Sequence, residues 1–99
     1  MKMDMAAMQP KLSEAADLMN MLSQPVRLQI LCTLYESEMS VLDLAETVGL
    51  SQPGISHHLK KLRDAELVKT RREAQTIFYA LKGQAVEAVM KTLHGLYCE

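Results

Sequence analysis

The side chains with chemistry to offer fall into two sets. Gln52, Ser56, His57 and Lys60 are spaced so that a helix would carry them along one outer arc. A Gln amide can bond adenine through two atoms, Ser and neutral His donate or accept at base edges, and Lys neutralises a phosphate. The second set is a pair of thiols, Cys32 and Cys98, 66 positions apart, with His94 four residues before Cys98 and so on the same helical face. As thiolates they could attack electrophilic sulfur or bind a soft metal, and His94 could lower a thiol pKa as a cation or serve as a ligand when neutral. Each has a plainer reading: free cysteine packs as a small hydrophobe, and a side chain near a terminus needs no role at all. His57 and His58 are adjacent, about 100° apart on a helix, and cannot share a metal; His57 is expected on the outer face and His58 partly packed behind it. No Gly-rich phosphate loop, zinc-protease pair or nucleophile elbow occurs, so neither an enzyme nor a cofactor is expected.

The elements that must position the first set are legible in residues 40–65, which read as two short helices hinged on Gly49. Val41, Leu44, Ala45 and Val48 give the first helix an apolar stripe at i, i+3, i+4, i+7. Gly49 can take the left-handed conformation that ends it. Ser51 is placed to cap the second helix, Pro53 is tolerated in its first turn, and Ile55, Leu59 and Leu62 form its inner stripe. A helix that is apolar behind and hydrogen-bonding in front suits the major groove of DNA.

Ninety-nine residues, 48% hydrophobic and 23% charged, make one domain with one core. The net charge of −1 divides unevenly. Residues 1–55 carry Lys2, Lys11 and Arg27 against seven acids, a balance of −4. Residues 56–82 carry Lys60, Lys61, Arg63, Lys69, Arg71, Arg72 and Lys82 against Asp64, Glu66 and Glu73, a balance of +4. Positive charge thus collects on the half expected to face DNA. No apolar run is long enough to span a membrane, and Asp4 interrupts the N-terminal Met-rich stretch, so no secretory leader is read and a cytoplasmic location is expected. In that compartment the two cysteines are expected as free or regulated thiols.

Around this unit the spacing predicts a flexible N-terminus over 1–11 and a domain over 12–98. A helix is expected from Leu12 to Leu22, with Leu12, Ala15, Ala16, Met19 and Leu22 as its stripe and Ser13 as a cap. The next, from Pro25 to Tyr35, is apolar around most of its circumference and is expected to be largely buried. Residues 67–72 and 76–81 predict a two-stranded hairpin joined at Glu73-Ala74-Gln75, with Ile77, Tyr79 and Leu81 on one face and Arg71 and Arg72 at the tip. A last helix over 84–97 carries Val86, Val89, Met90, Leu93, Leu96 and Tyr97. The fold class is mainly α with a two-stranded β wing, in the order α-α-α-α-β-β-α. Both terminal helices carry more apolar surface than one small core can cover, which predicts a homodimer.

From about Ala16 to Cys98 the chain resembles the ArsR/SmtB family of winged-helix bacterial repressors. The likeness rests on Leu22-Ser23-Gln24-Pro25-Val26-Arg27-Leu28-Gln29-Ile30-Leu31, on Leu50-Ser51-Gln52-Pro53-Gly54-Ile55-Ser56-His57-His58-Leu59, and on the hairpin from Leu67 to Tyr79. The resemblance implies a dimer on an inverted-repeat operator, with a ligand elsewhere on the dimer altering DNA affinity. Gln52, Ser56 and His57 would then read bases, Lys60 would hold a phosphate, and Arg71 and Arg72 would contact DNA from the wing.

Two familiar metal sites of that family do not match. The thiolate pair would fall at Ser40 and Leu42, and the site on the last helix near Lys82, Gln84, Gly95 and Cys98, none of which supplies the required donors. The Cys32 and Cys98 pair and the stretch Arg71-Arg72-Glu73-Ala74-Gln75-Thr76 are instead similar to the BigR, SqrR and HlyU subgroup. That likeness implies that reactive sulfur species or oxidants link the two thiols, by a disulfide or a bridge of extra sulfur, and lower DNA affinity. Two other readings stay open: a metal or arsenite sensor using Cys32, Cys98 and His94, and a winged-helix module used only for protein contacts.

Overall fold

Pro25, Ser40, Gly49 and Ser51 punctuate the chain at the places where the computed structural model, which describes residues 2–98, breaks its helices. The elements are α1 (Met5–Met8), a 3₁₀ turn (Gln9–Lys11), α2 (Leu12–Leu22), α3 (Pro25–Glu36), β1 (Met39–Ser40), α4 (Val41–Val48), α5 (Gln52–Asp64), β2 (Val68–Glu73), β3 (Thr76–Leu81) and α6 (Gln84–Tyr97). The mainly helical winged helix-turn-helix expected from the sequence is present. Residues 5–11, within the expected flexible stretch, are helical and bury no side chain; Asp4 caps α1 by accepting from the Ala7 amide. Met1, the first residue of that stretch, lies outside the described residues.

One core serves every element. Leu22 of α2, Ile30, Leu31 and Leu34 of α3, Leu44 and Ala45 of α4, Ile55, Leu59 and Leu62 of α5, Val68 of β2, and Val86 and Met90 of α6 form a single buried cluster. Each fully buried aliphatic side chain contributes about 1.5–3 kcal/mol. Among the described residues no polar or charged residue is buried in it. Arg27, at the edge, donates from Nε to the Met21 carbonyl at 2.8 Å and so satisfies the C-terminal end of α2.

Four expectations need correcting. The sheet has three strands in the order β1-β3-β2, because the connector before α4 is extended and pairs Met39 with Tyr79 and Ser40 with Phe78. The covered stripe of α2 is Ala15, Leu18, Met21 and Leu22, while Leu12 and Met19 stand exposed and Ser13 makes no cap. Helix α3 is buried over only part of its circumference: Ile30, Leu31 and Leu34 lie in the core, where α2, α4, α5, α6 and β3 pack against the helix, while Cys32 and Tyr35 are exposed. On the hairpin, Ile77 is exposed although Tyr79 and Leu81 pack on the core, because it pairs with Arg72 beyond the edge of the helices. The exposed Leu12, Met19, Tyr35, Leu96 and Tyr97 leave apolar faces of α2, α3 and α6 uncovered.

Candidate nucleic-acid interface and thiol pair

Helix α5 is set at both ends by the residues the sequence marked. Gly49 takes φ +83°, closing α4, and its amide donates to the Ala45 carbonyl at 2.9 Å. Ser51 caps α5 by accepting from the Gly54 amide at 3.2 Å. A second cap went unread in the sequence: Ser40 accepts from the Asp43 amide at 3.2 Å and starts α4. The signal was there, a serine three residues ahead of an acid before an apolar run.

Ile55, Leu59 and Leu62 have no exposed surface, which turns the opposite face outward. Gln52, Ser56, His57 and Lys60 are all exposed on that face. Lys60 leans on Asp64 at 3.3 Å, a solvent-exposed i,i+4 pair that a stronger anion can replace. His58 sits half-buried behind His57, the rings in edge contact with centroids 5.6 Å apart. Burial first, then the charges of His57, Arg27 and Lys61, hold its pKa below the ordinary histidine value. Its Nδ1 is buried and has no hydrogen-bond partner among the described residues.

Arg71 and Arg72 lie in β2, three and two residues before the two-residue turn Ala74-Gln75, and not at the tip itself. Ala74 takes φ +56°, the left-handed value that tight hairpin turns demand. The two arginines point to opposite faces of the strand. Arg72 is exposed beyond the core, whereas Arg71 is held by Glu38 and Glu73 and lies over Phe78. Glu38 gave no sign in the sequence, because the pair joins positions 33 residues apart.

Both thiols bear on α6. Cys32 Sγ contacts Met90 Sδ at 3.6 Å, and Cys98 follows the end of α6, where its amide donates to the His94 carbonyl at 2.8 Å. Both cysteines are free and exposed. Burial raises the Cys32 pKa above the ordinary thiol value, and the charge of a nearby Cys98 thiolate raises it further. His94 is exposed, and among the described residues no group of three or more His, Cys, Asp or Glu could hold a metal ion. No described helix is long and apolar enough to cross a membrane.

Comparison with known proteins places these features among relatives. Residues 24–70 match the model of the "Bacterial regulatory protein, arsR family". The chain is 42% identical over 97 residues to the transcriptional activator HlyU of Vibrio cholerae, covering 98% of this chain and 90% of that protein. Its fold is similar to the crystal structure of the transcriptional repressor BigR from Xylella fastidiosa, with a TM-score of 0.90 at 37% identity, covering 98% and 99% of the two chains. It is also similar to reduced HlyU from Vibrio cholerae, with a TM-score of 0.89 at 43% identity over 94% and 98%.

Proposed function

This chain belongs to the arsR family of bacterial regulatory proteins, DNA-binding transcriptional regulators and not enzymes, and we propose that it is a dimeric repressor whose operator affinity falls when Cys32 and Cys98 become linked. The observation that carries the reading is that both thiols are free and exposed and bear on one helix, Cys32 through its contact with Met90 and Cys98 at the end of α6. Similarity to HlyU in a form described as reduced, and to the repressor BigR, supports it.

The chemistry balances with a persulfide donor. One thiolate takes the sulfane sulfur, releasing the donor's thiol and forming a cysteine persulfide. The second thiol attacks the inner sulfur and expels hydrogen sulfide, leaving a disulfide. A further round on the persulfide before closure leaves an extra sulfur in the bridge, which relaxes the requirement that Cα atoms lie within about 7 Å. Cys32 contacts Met90, and Cys98 follows Met90 by eight residues, ~12 Å along an ideal helix. A link therefore draws the end of α6 toward α3. With Leu96 and Tyr97 of that helix facing a second copy, the strain reaches the spacing of the two α5 helices.

Gln52, Ser56 and His57 would read bases, Lys60 would hold phosphate, and the wing would engage the flanking backbone or minor groove through Arg72. Two-fold symmetry calls for an inverted repeat with half-sites about one helical turn apart. A metal or arsenite sensor using Cys32, Cys98 and His94 is the rival reading, and it lacks a converging third ligand. Titrating the chain on DNA with a persulfide donor, and separately with zinc or arsenite, distinguishes them: release by the donor alone supports the proposal, and release by the metal alone overturns it.

A further inference from the structure

Arg71 is a wing cation whose charge is already taken. From β2 its guanidinium lies over the Phe78 ring of β3, 4.7 Å from the centroid, and reaches past that strand to Glu38 in the connector before β1. Nε donates to the two Glu38 oxygens at 2.8 and 3.0 Å, Nη2 donates to Oε1 of the same carboxylate, and Nη1 donates to Glu73 at 2.9 Å. The register explains the reach, since Arg71 pairs with Phe78 and Phe78 with Ser40 across the sheet. A planar fork stacked on a ring and paired to a carboxylate through two nitrogens is an arrangement open to arginine and closed to lysine. Hydrogen bonds from Arg71 hold the Glu38 carboxyl below its ordinary range.

We propose that Arg71 is a positioning residue for DNA binding, a clasp that ties the wing across β3 to Glu38 and so fixes the wing relative to α4 and α5. The inference rests on the reading of the wing as a DNA contact and deepens it: Arg72 meets the DNA, and Arg71 holds the strand that presents it. Glu38 stands three residues before α4, whose partner in the helix-turn-helix is α5, so the clasp joins the two DNA-facing parts directly. An exposed ion pair alone contributes little, but here two hydrogen-bonded nitrogens and a ring remove most of the freedom of both partners.

Electrostatics alone predicts the opposite behaviour for Glu38. Removing a carboxylate beside DNA should strengthen binding, whereas breaking a clasp should weaken it. Loss of Arg71 cannot separate the two ideas, because it uncovers Glu38 and Glu73 and so mimics a lost phosphate contact. The test therefore starts from the acid. Full-length wild type, Glu38→Gln, Arg71→Lys, the double variant and Arg72→Ala are compared by fluorescence anisotropy between 50 and 200 mM salt. The probe is a duplex that the wild-type chain selects from a randomised pool.

Glu38→Gln and Arg71→Lys should each bind about three- to tenfold more weakly with an unchanged salt slope, and the double variant should be no weaker than Arg71→Lys. Circular dichroism should stay native, since both partners lie at the surface. Glu38→Gln binding as tightly as wild type, or more tightly, overturns the clasp, as does wild-type affinity in Arg71→Lys. Arg72→Ala separates the underlying reading: a salt slope flattened by about one supports the wing as a DNA contact, and an unchanged affinity and slope overturns it.

Discussion

The thiol of Cys32 on α3 rests 3.6 Å from the sulfide of Met90 on α6. Met90 is only 2% exposed, so an exposed thiol is moored to a side chain at the centre of the core. The same helix continues to Cys98 and to the uncovered Leu96 and Tyr97. Chemistry at the surface of α3 is thus mechanically continuous with the last turns of α6.

Burial and then the charge of an ionised Cys98 hold Cys32 above the ordinary thiol range, so removing Cys98 should make Cys32 more reactive in alkaline solution, where that charge would otherwise oppose its ionisation. Cys98→Ser is expected to speed alkylation of Cys32 by iodoacetamide modestly, and to move its pH–rate profile toward lower pH. Peptide mass spectrometry after timed quenching reads the rate. An unchanged rate would mean the two thiols do not influence one another.

The outer face of α5 should carry base recognition. Gln52→Ala and His57→Ala are each expected to cost about 1–3 kcal/mol on the selected duplex and little on random DNA. Lys60→Ala should weaken both and flatten the salt slope. Equal losses on both DNAs would reassign Gln52 and His57 to the backbone.

Stability should follow the inner face of the same helix. Leu59, with no exposed surface, is expected to cost about 2–5 kcal/mol on change to Ala, while loss of the Ser51 cap should cost about 1 kcal/mol. Denaturant melts measure both, and a Leu59→Ala loss below that of Ser51→Ala would contradict the assigned burial.

His58 should make the fold sensitive to mild acid. Its folded pKa lies below the ordinary histidine value, so the unfolded chain binds the proton more readily. Stability is full above about pH 6.5 and falls as the pH drops below it toward the depressed folded value. Thermal melts from pH 8 to 5 should show a smaller decline for His58→Gln than for wild type. Parallel declines would remove His58 as the cause.

The sequence showed most of what local chemistry decides. Gly49, Ser51 and the triplet Ile55, Leu59 and Leu62 act over three or four residues, and α5 stands where they put it. Longer reach was harder to see. The stripe of α2 was misplaced because Leu12 and Met19 have helical spacing as good as Leu18 and Met21, and only the packed partner decides which face is covered. Strand β1 was missed because two residues carry no periodicity, and Glu38 because its partner is 33 residues away. Among the candidate site residues, side chains on one helix could be grouped by spacing, while the pairing of Cys32 with Cys98 came from resemblance and not from any local pattern.

The central claim is that one intrachain link between Cys32 and Cys98 releases DNA. It is tested most directly by measuring, in the same samples, affinity for the selected duplex and intact protein mass before and after treatment with a persulfide donor. Wild type should lose about five- to 150-fold in affinity and show a Cys32–Cys98 link within one chain. Cys32→Ser and Cys98→Ser should bind DNA untreated and keep that affinity after treatment. Normal release by either single variant, or full retention of DNA by linked wild type, would contradict the account.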